Sequence, residues 1–496
     1  MREIIKKHMT GDLLFTPGGP STLSNAVSGA VKAGQLRKLT AKIYTSDLDS
    51  PMEEVCRRNA WRMAALLFPG AVVSHRSAAE GKVLENHVFL TWKRDRKIRV
   101  GEFVFSAKKG ASAQEGDTPF VSGLYLSSPA RCWLENLSSK GKEAVARTMT
   151  RSQLEEMLGA YIRHYGEDRL RDGLSKAHKL APKLSLNREY GKLEKIISAL
   201  LGSGDQKVLK NKSSLALIRG TPFDTKRMDL FEKLFAALKK LPSIDKRLEV
   251  EMSPHHKINL AFYDAYFSNY IEGTKFIHEE AEKIVFEGKI PERRPDGHDI
   301  VGTYRILLRL LTTGDPAWKS PEDFIYSIKT AHGEVMAAHP DKRPGEFKLR
   351  NNRAGDRVFV DKDLVEGTLK EAFPFYVALE SGLQRAFYAK FLLSEVHPFE
   401  DGNGRISRMI LARDLNKAGL TSCLIPTVYR LDYVGALKKA TTTGDFSVFV
   451  RMLLKALHFT ASIDFGIPLP EVRKALETHR AFSEEPEDVL KFHFEN

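Results

Sequence analysis

The stretch His397 to Arg408, HPFEDGNGRISR, puts the tightest constraint on what this chain can fold into. Before it, Leu379, Leu383, Phe387 and Phe391 recur every fourth residue, and after it Ile406, Met409, Ile410 and Leu415 keep a helical period. The stretch is therefore expected as a loop that joins two amphipathic helices and opens the second. Gly402 and Gly404 let the backbone turn so that amide N–H groups converge, and the helix N-terminus adds its positive end, which together make an anion cradle. Asp401 offers a hard oxygen of the kind Mg²⁺ takes when it also bridges nucleotide phosphates. Arg405 and Arg408, three apart, share a helix face and can hold phosphate oxygens, and His397 titrates near neutral pH and suits a general base. Each residue alone could be a helix cap or a solvated charge; together they point to a nucleotide site.

These twelve residues resemble the signature of the Fic family, His-x-Phe-x-Asp/Glu-Gly-Asn-Gly-Arg-x-x-Arg, which His397, Phe399, Asp401, Gly402, Asn403, Gly404, Arg405 and Arg408 meet at every fixed position. The resemblance implies transfer of AMP from ATP to a Ser, Thr or Tyr hydroxyl of a target protein. His397 would take the proton, Asp401 would hold Mg²⁺, and Gly402, Asn403, Gly404, Arg405 and Arg408 would bind the phosphates, with Phe399 pinning the loop. Tyr433 resembles the family's aromatic position near the adenine. Positioning and charge neutralisation are most of what phosphoryl chemistry asks of a protein.

Further upstream, SNYIEG places Ser268 and Glu272 four apart on one helix face, with Gly273 a stop. A carboxylate at a helix C-terminus faces the wrong end of the dipole and wants a cation. The segment resembles the inhibitory motif of Fic proteins, Ser/Thr-x-x-x-Glu-Gly-Asn, with Thr274 in place of the final Asn. By that resemblance Glu272 would pair with Arg408 and block the γ-phosphate seat; the bland reading is a surface i,i+4 pair. The stretch GEFKLRNNRAGDRVFVD carries a hairpin pattern, and the resemblance implies a flap in which Phe347, Lys348, Leu349 and Val358 hold the target by strand pairing.

At 496 residues the chain is long enough for two to four domains. We expect a mainly α protein whose helical Fic domain at 223–465 carries a small β-hairpin flap. It follows an α+β region, with a linker at 206–222 and a C-terminal tail at 466–496 that is expected to be mobile from Ser483. Residues 1–45 suit a small winged helix-turn-helix: Leu23, Val27, Ala30 and Val31 form a helical stripe, and Leu36, Leu39, Ile43 and Tyr44 a wing. Its exposed face would carry Ser24, Asn25, Ser28 and Lys32, and Ser24, Asn25, Arg37 and Lys38 are the candidate DNA contacts. A basic adaptor that touches no DNA reads equally well. Residues 46–205 are expected as an α+β domain: RRNAWRMAALLFPGAVVSHRSAAEG and LYLSSPARCWLENL resemble AbiEi-type antitoxins, the transcription-repressing partners in one bacterial toxin–antitoxin class. His75 and Arg76 lack a partner at catalytic spacing and read as structural or polar-binding residues.

Cys56, Cys132 and Cys423 show no paired short spacing, which argues against a disulfide framework or zinc site. We find no run of about eighteen apolar residues and no secretory pattern in MREIIKKHMTGDLLF, so a cytoplasmic protein without membrane contact is expected. A net charge of +14 eases approach to nucleotide or nucleic acid. The expected partners are ATP and a target protein, with DNA and a second copy of the chain as further candidates. The leading reading is an autoinhibited protein adenylyltransferase with a regulatory or DNA-binding front module. The alternatives are a transcription regulator, a fused toxin–antitoxin protein, or a Fic enzyme that moves another phosphate-containing group.

Overall fold

The structure, a computed structural model, describes residues 3–16, 21–139, 141, 144–241, 246–292, 294, 296–355 and 357–492. The chain divides into two compact units, Met1–Arg219 and Gly220–Asn496.

In the first unit, strands Met9–Thr10, Leu13–Phe15, Ile43–Thr45 and Arg37–Thr40 lie in that order in an antiparallel sheet. Successive strand side chains point to opposite faces, so Leu13 and Leu14 enter different cores. Leu14 joins Leu23, Val27 and Ala30 of the helix Ser21–Lys32. Leu13, Leu39 and Ile43 pack with Val55 and Met63 of the helix Met52–Leu67. This two-sided burial corrects the expectation that 1–45 stands as its own domain, because the wing shares its core with the next segment. The strands Met9–Thr10 and Leu13–Phe15 were not expected from the sequence.

A six-stranded mixed sheet follows, with His87–Trp92 running parallel to Phe103–Lys109 and antiparallel to Val72–Val73. Helices Pro129–Asn136, Arg151–Tyr165, Glu167–Leu184 and Asn187–Leu200 then enclose a separate core around Trp133, Leu154, Leu170 and Ile197. The segment read as a linker is largely docked. Residues Lys212–Ile218 are helical, Leu209 is buried in the same core, and Glu155 accepts the N–H groups of Lys210 and Asn211, each at 2.8 Å.

The second unit is helical apart from one hairpin, around a single core that includes Phe262, Leu307, Phe387, Phe391, Ile410 and Leu453. The helix Gly382–Val396 starts on a Ser381–Gln384 capping box and lies against the helix Asn403–Lys417. Among the described residues no helix is long and apolar enough to cross a membrane. The C-terminal segment is not a loose tail: Leu469–Thr478 is a helix whose Val472 and Leu476 are fully buried, and Ala481 and Leu490 enter the same core. Arg473 further pairs with Glu279 at 2.5 Å.

Candidate active site

The helix Gly382–Val396 ends at His397, which adopts φ 52°, and the next begins after Gly402 at φ 72°. A Cβ at Gly402 would press on Met336 Sδ at 3.0 Å, so this position requires glycine both for its left-handed backbone and for space. Gly404 differs from the expectation of a second turn residue. It is already helical, and a Cβ there would collide with Glu272 Oε1.

The loop between the helices is fixed from inside. Asn403 Oδ1 accepts the Phe399 N–H at 2.8 Å and its Nδ2 donates to Phe399 O at 2.9 Å. The Asn403 side chain therefore holds the loop, which leaves its backbone N–H for an anion. Phe399 is fully buried and stacks on His332, with centroids 3.9 Å apart. His332 Nδ1 takes the Gly345 N–H at 2.9 Å, so Nε2 must carry the proton, and it lies 3.2 Å from Asp401 O as donor. Burial pushes this ring down to about 4. His332 ties the flap base to the signature loop, and nothing in its local sequence announces that role.

His397 is half-buried, with its ring parallel to Phe359 at 3.7 Å. Burial and the nearby Lys348 charge push its pKa down to about 4, which leaves the imidazole neutral and able to accept a proton at physiological pH. Asp401 is exposed, and its Oδ1 accepts the Gly402 N–H at 2.6 Å. Among the described residues no group of three or more His, Cys, Asp or Glu gathers as a metal site. One exposed carboxylate beside a helix N-terminus would suit a Mg²⁺ whose other ligands came from nucleotide and water.

Arg405 and Arg408 are both buried and both engaged. Arg405 Nη1 pairs with Asp299 and Nη2 lies 3.4 Å from Met336 Sδ, while Asp299 also meets His339 Nε2 at 2.7 Å. Arg408 Nε donates to Ser268 Oγ at 2.9 Å, and Nη2 donates to Ser268 O at 2.9 Å and to Glu272 Oε1 at 2.6 Å. Burial raises the Glu272 carboxyl, but the Arg408 guanidinium outweighs it and holds the group below its usual range. Glu272 caps the helix Pro254–Ile271 and lies against Gly404 in the first turn of the signature helix. A carboxylate thus sits where that helix terminus favours an anion. Tyr433 is buried behind the site, with Lys390 Nζ 4.9 Å from its ring centre; Lys390 in turn bonds Ser394 and Ser407.

The flap is shorter than its sequence pattern suggests. Among the described residues the paired strands are Arg353–Ala354 and Arg357–Val358, in antiparallel register. Phe347 and Leu349 lie outside the strands, and Lys348 is buried, with Nζ donating to Asn352 Oδ1 at 2.8 Å. Lys348 therefore anchors the flap, whereas Leu349 and Val358 are exposed and free to meet a partner. Glu395, two residues before His397, pairs with Arg357 and with Arg227, while Arg227 Nη2 donates to Val358 O at 2.6 Å. One buried carboxylate, in the last turn of the helix that leads to His397, thus holds the flap.

In the first unit Ser24, Asn25, Ser28 and Lys32 lie exposed along one helix, and Lys38 is exposed. Arg37 is not free, since its Nη2 donates to Ser50 O at 2.8 Å. His75 N–H donates to Glu135 Oε2 at 3.3 Å, and Arg76 pairs with Glu80 at 2.8 Å.

Residues 325–413 match the model of the Fic/DOC family. Protein adenylyltransferase fic-1 of Caenorhabditis elegans is 28% identical over 208 residues, or 41% of this chain and 40% of that protein. The Caenorhabditis briggsae protein of the same name is 38% identical over 208 residues, with the same shares. Protein adenylyltransferase Fic of Drosophila persimilis is 43% identical over 78 residues, 16% of this chain and 15% of its own. The matched region spans about two fifths of the length of the nematode relatives and less of the fly protein. Among solved structures, Fic-1 (residues 134–508) from C. elegans aligns at 19% identity and TM-score 0.36 over 67% of this chain and 90% of that one. A Fic family protein from Desulfovibrio desulfuricans aligns at 16% identity and TM-score 0.36 over 53% and 78%. Within the helical unit residues 325–413 thus match the Fic/DOC family, and the curated relatives named above are Fic protein adenylyltransferases.

Proposed function

We propose that this chain is an autoinhibited protein adenylyltransferase that transfers AMP from ATP to a Ser, Thr or Tyr hydroxyl of a protein in the cytoplasm. The observation that carries the reading is Arg408, a buried signature arginine whose guanidinium is taken by Ser268 and Glu272 at the N-terminus of the signature helix. His397 removes the target hydroxyl proton, the oxygen attacks the α-phosphorus, and the bond to the β-phosphate oxygen breaks, so that pyrophosphate leaves. The amides opening the helix Asn403–Lys417 receive phosphate oxygens, and Arg405 and Arg408 take the β- and γ-phosphates. Asp401 would hold Mg²⁺, which neutralises phosphate charge when bound. The target segment lies along the exposed Leu349 and Val358 of the flap.

With Glu272 on Arg408 the γ-phosphate has no seat, and ATP binds with its α-phosphate misaligned. Incubation of wild type, Glu272→Gly and His397→Ala with ATP and Mg²⁺ tests this: the first is slow, the second fast, the third inactive. Equal incorporation in all three contradicts it. A second reading concerns the front unit, where exposed Ser24, Asn25, Lys32 and Lys38 suit a duplex. Salt-dependent DNA retention by the full chain, weakened by Lys38→Glu, supports it; no retention at low salt leaves the module an adaptor.

A further inference from the structure

The first unit holds a polar cavity of about 280 Å³ whose wall includes His75, Asp95, Lys108, Lys109, Arg131, Glu135 and Arg147. Its charges do not balance. Arg131 is matched by Glu135 at 2.8 Å and by Asp117 at 2.6 Å. Asp95 stands 3.8 Å from Lys108 Nζ and takes the Lys109 backbone N–H at 2.7 Å. That leaves the Lys109 ammonium and the Arg147 guanidinium without a carboxylate among the described residues.

Arg147 is the stronger sign. It is only 4% exposed, its Nη2 donates to Ser139 O at 2.9 Å, and its Nε and Nη1 are buried with no hydrogen-bond partner among the described residues. A buried guanidinium with two unmet N–H groups is costly unless an acceptor arrives to meet them. The backbone there is fixed beforehand: Arg147 O accepts the Arg76 N–H at 3.1 Å, and His75, at φ 53°, gives its N–H to Glu135.

We propose that this cavity binds a small phosphate monoester, with Arg147 and Lys109 holding the phosphoryl oxygens. A phosphate monoester brings three acceptor oxygens on one phosphorus, enough for the two unmet Arg147 N–H groups and the Lys109 ammonium together. A planar guanidinium also suits two phosphoryl oxygens at once. The volume lies at the small end of ligand pockets, so the organic part is of sugar size rather than a dinucleotide.

The test is calorimetric titration of the full chain carrying Arg408→Ala, which removes one phosphate ligand from the signature site, with ribose 5-phosphate and separately with inorganic phosphate. Saturable one-to-one binding of the ester is expected, weakened about tenfold or more by Arg147→Gln and by Lys109→Gln. Without ligand, Arg147→Gln should melt no lower than its parent, because it removes an unmet buried charge; the parent gains the advantage only with ester present. Absence of saturable ester binding, or binding unchanged in both variants, overturns the site. Equal or tighter binding of inorganic phosphate overturns the ester. If Arg147→Gln fails to fold by circular dichroism, Lys109→Gln decides alone, since Lys109 is exposed.

Discussion

Replacing Glu272 by Gly removes the carboxylate that stands against Gly404 and holds Arg408 Nη2 at 2.6 Å. A hydrogen bond to a charged group contributes about 1.5–3 kcal/mol, and at about 1.4 kcal/mol per tenfold this corresponds to a roughly 10- to 150-fold gain in productively bound ATP. The Ser268 bonds to Arg408 remain, so the guanidinium stays in place. Loss of the pair should cost about 1–3 kcal/mol of stability. Transfer of label from α-labelled ATP to the chain or a target reads the rate, and ATP affinity is measured beside it. Because the pair opens in a fraction of molecules, wild type keeps a basal rate and the expected result is a large ratio. The double variant with Arg408→Ala should be inactive. An unchanged rate in Glu272→Gly with ATP still bound would refute the reasoning and make the contact a helix cap.

His397→Ala should abolish transfer, a loss of roughly 10²-fold or more, while ATP affinity by titration stays near wild type; turnover at the wild-type rate removes the base assignment. Asp401→Ala should flatten the Mg²⁺ dependence of the rate, and an unchanged Mg²⁺ titration counts against it. Stability should fall as pH drops from about 6.5 toward 4. Burial holds His278, His332 and His397 at about 4, so the unfolded imidazoles bind protons that the folded ones refuse. The slope approaches 1.4 kcal/mol per pH unit for each such group. Melting curves across that range, compared with His332→Gln, check the sign, and a steeper fall in the variant contradicts it.

The signature loop and its two helices were legible because their pattern is local: a helical period, a left-handed glycine and a cluster of phosphate-binding residue types. The meeting of Glu272 with Arg408 was legible only through a learned motif, since 136 positions separate them. Other contacts carry no local mark. Asp299 on Arg405 and His332 under Phe399 depend on packing between distant helices, and each residue alone reads as an ordinary helix position. Asn403 was assigned to phosphate by the family resemblance, yet its side chain holds the Phe399 backbone. The segment from Ser483 looked mobile by charge, while Leu490 is buried in the helical core.

The most direct test of the central claim is mass spectrometry of protein modified by the purified Glu272→Gly chain with ATP and Mg²⁺. The account predicts an AMP adduct on Ser, Thr or Tyr, absent when His397→Ala is added. No adduct with ATP bound, or a transferred group other than AMP, would contradict it.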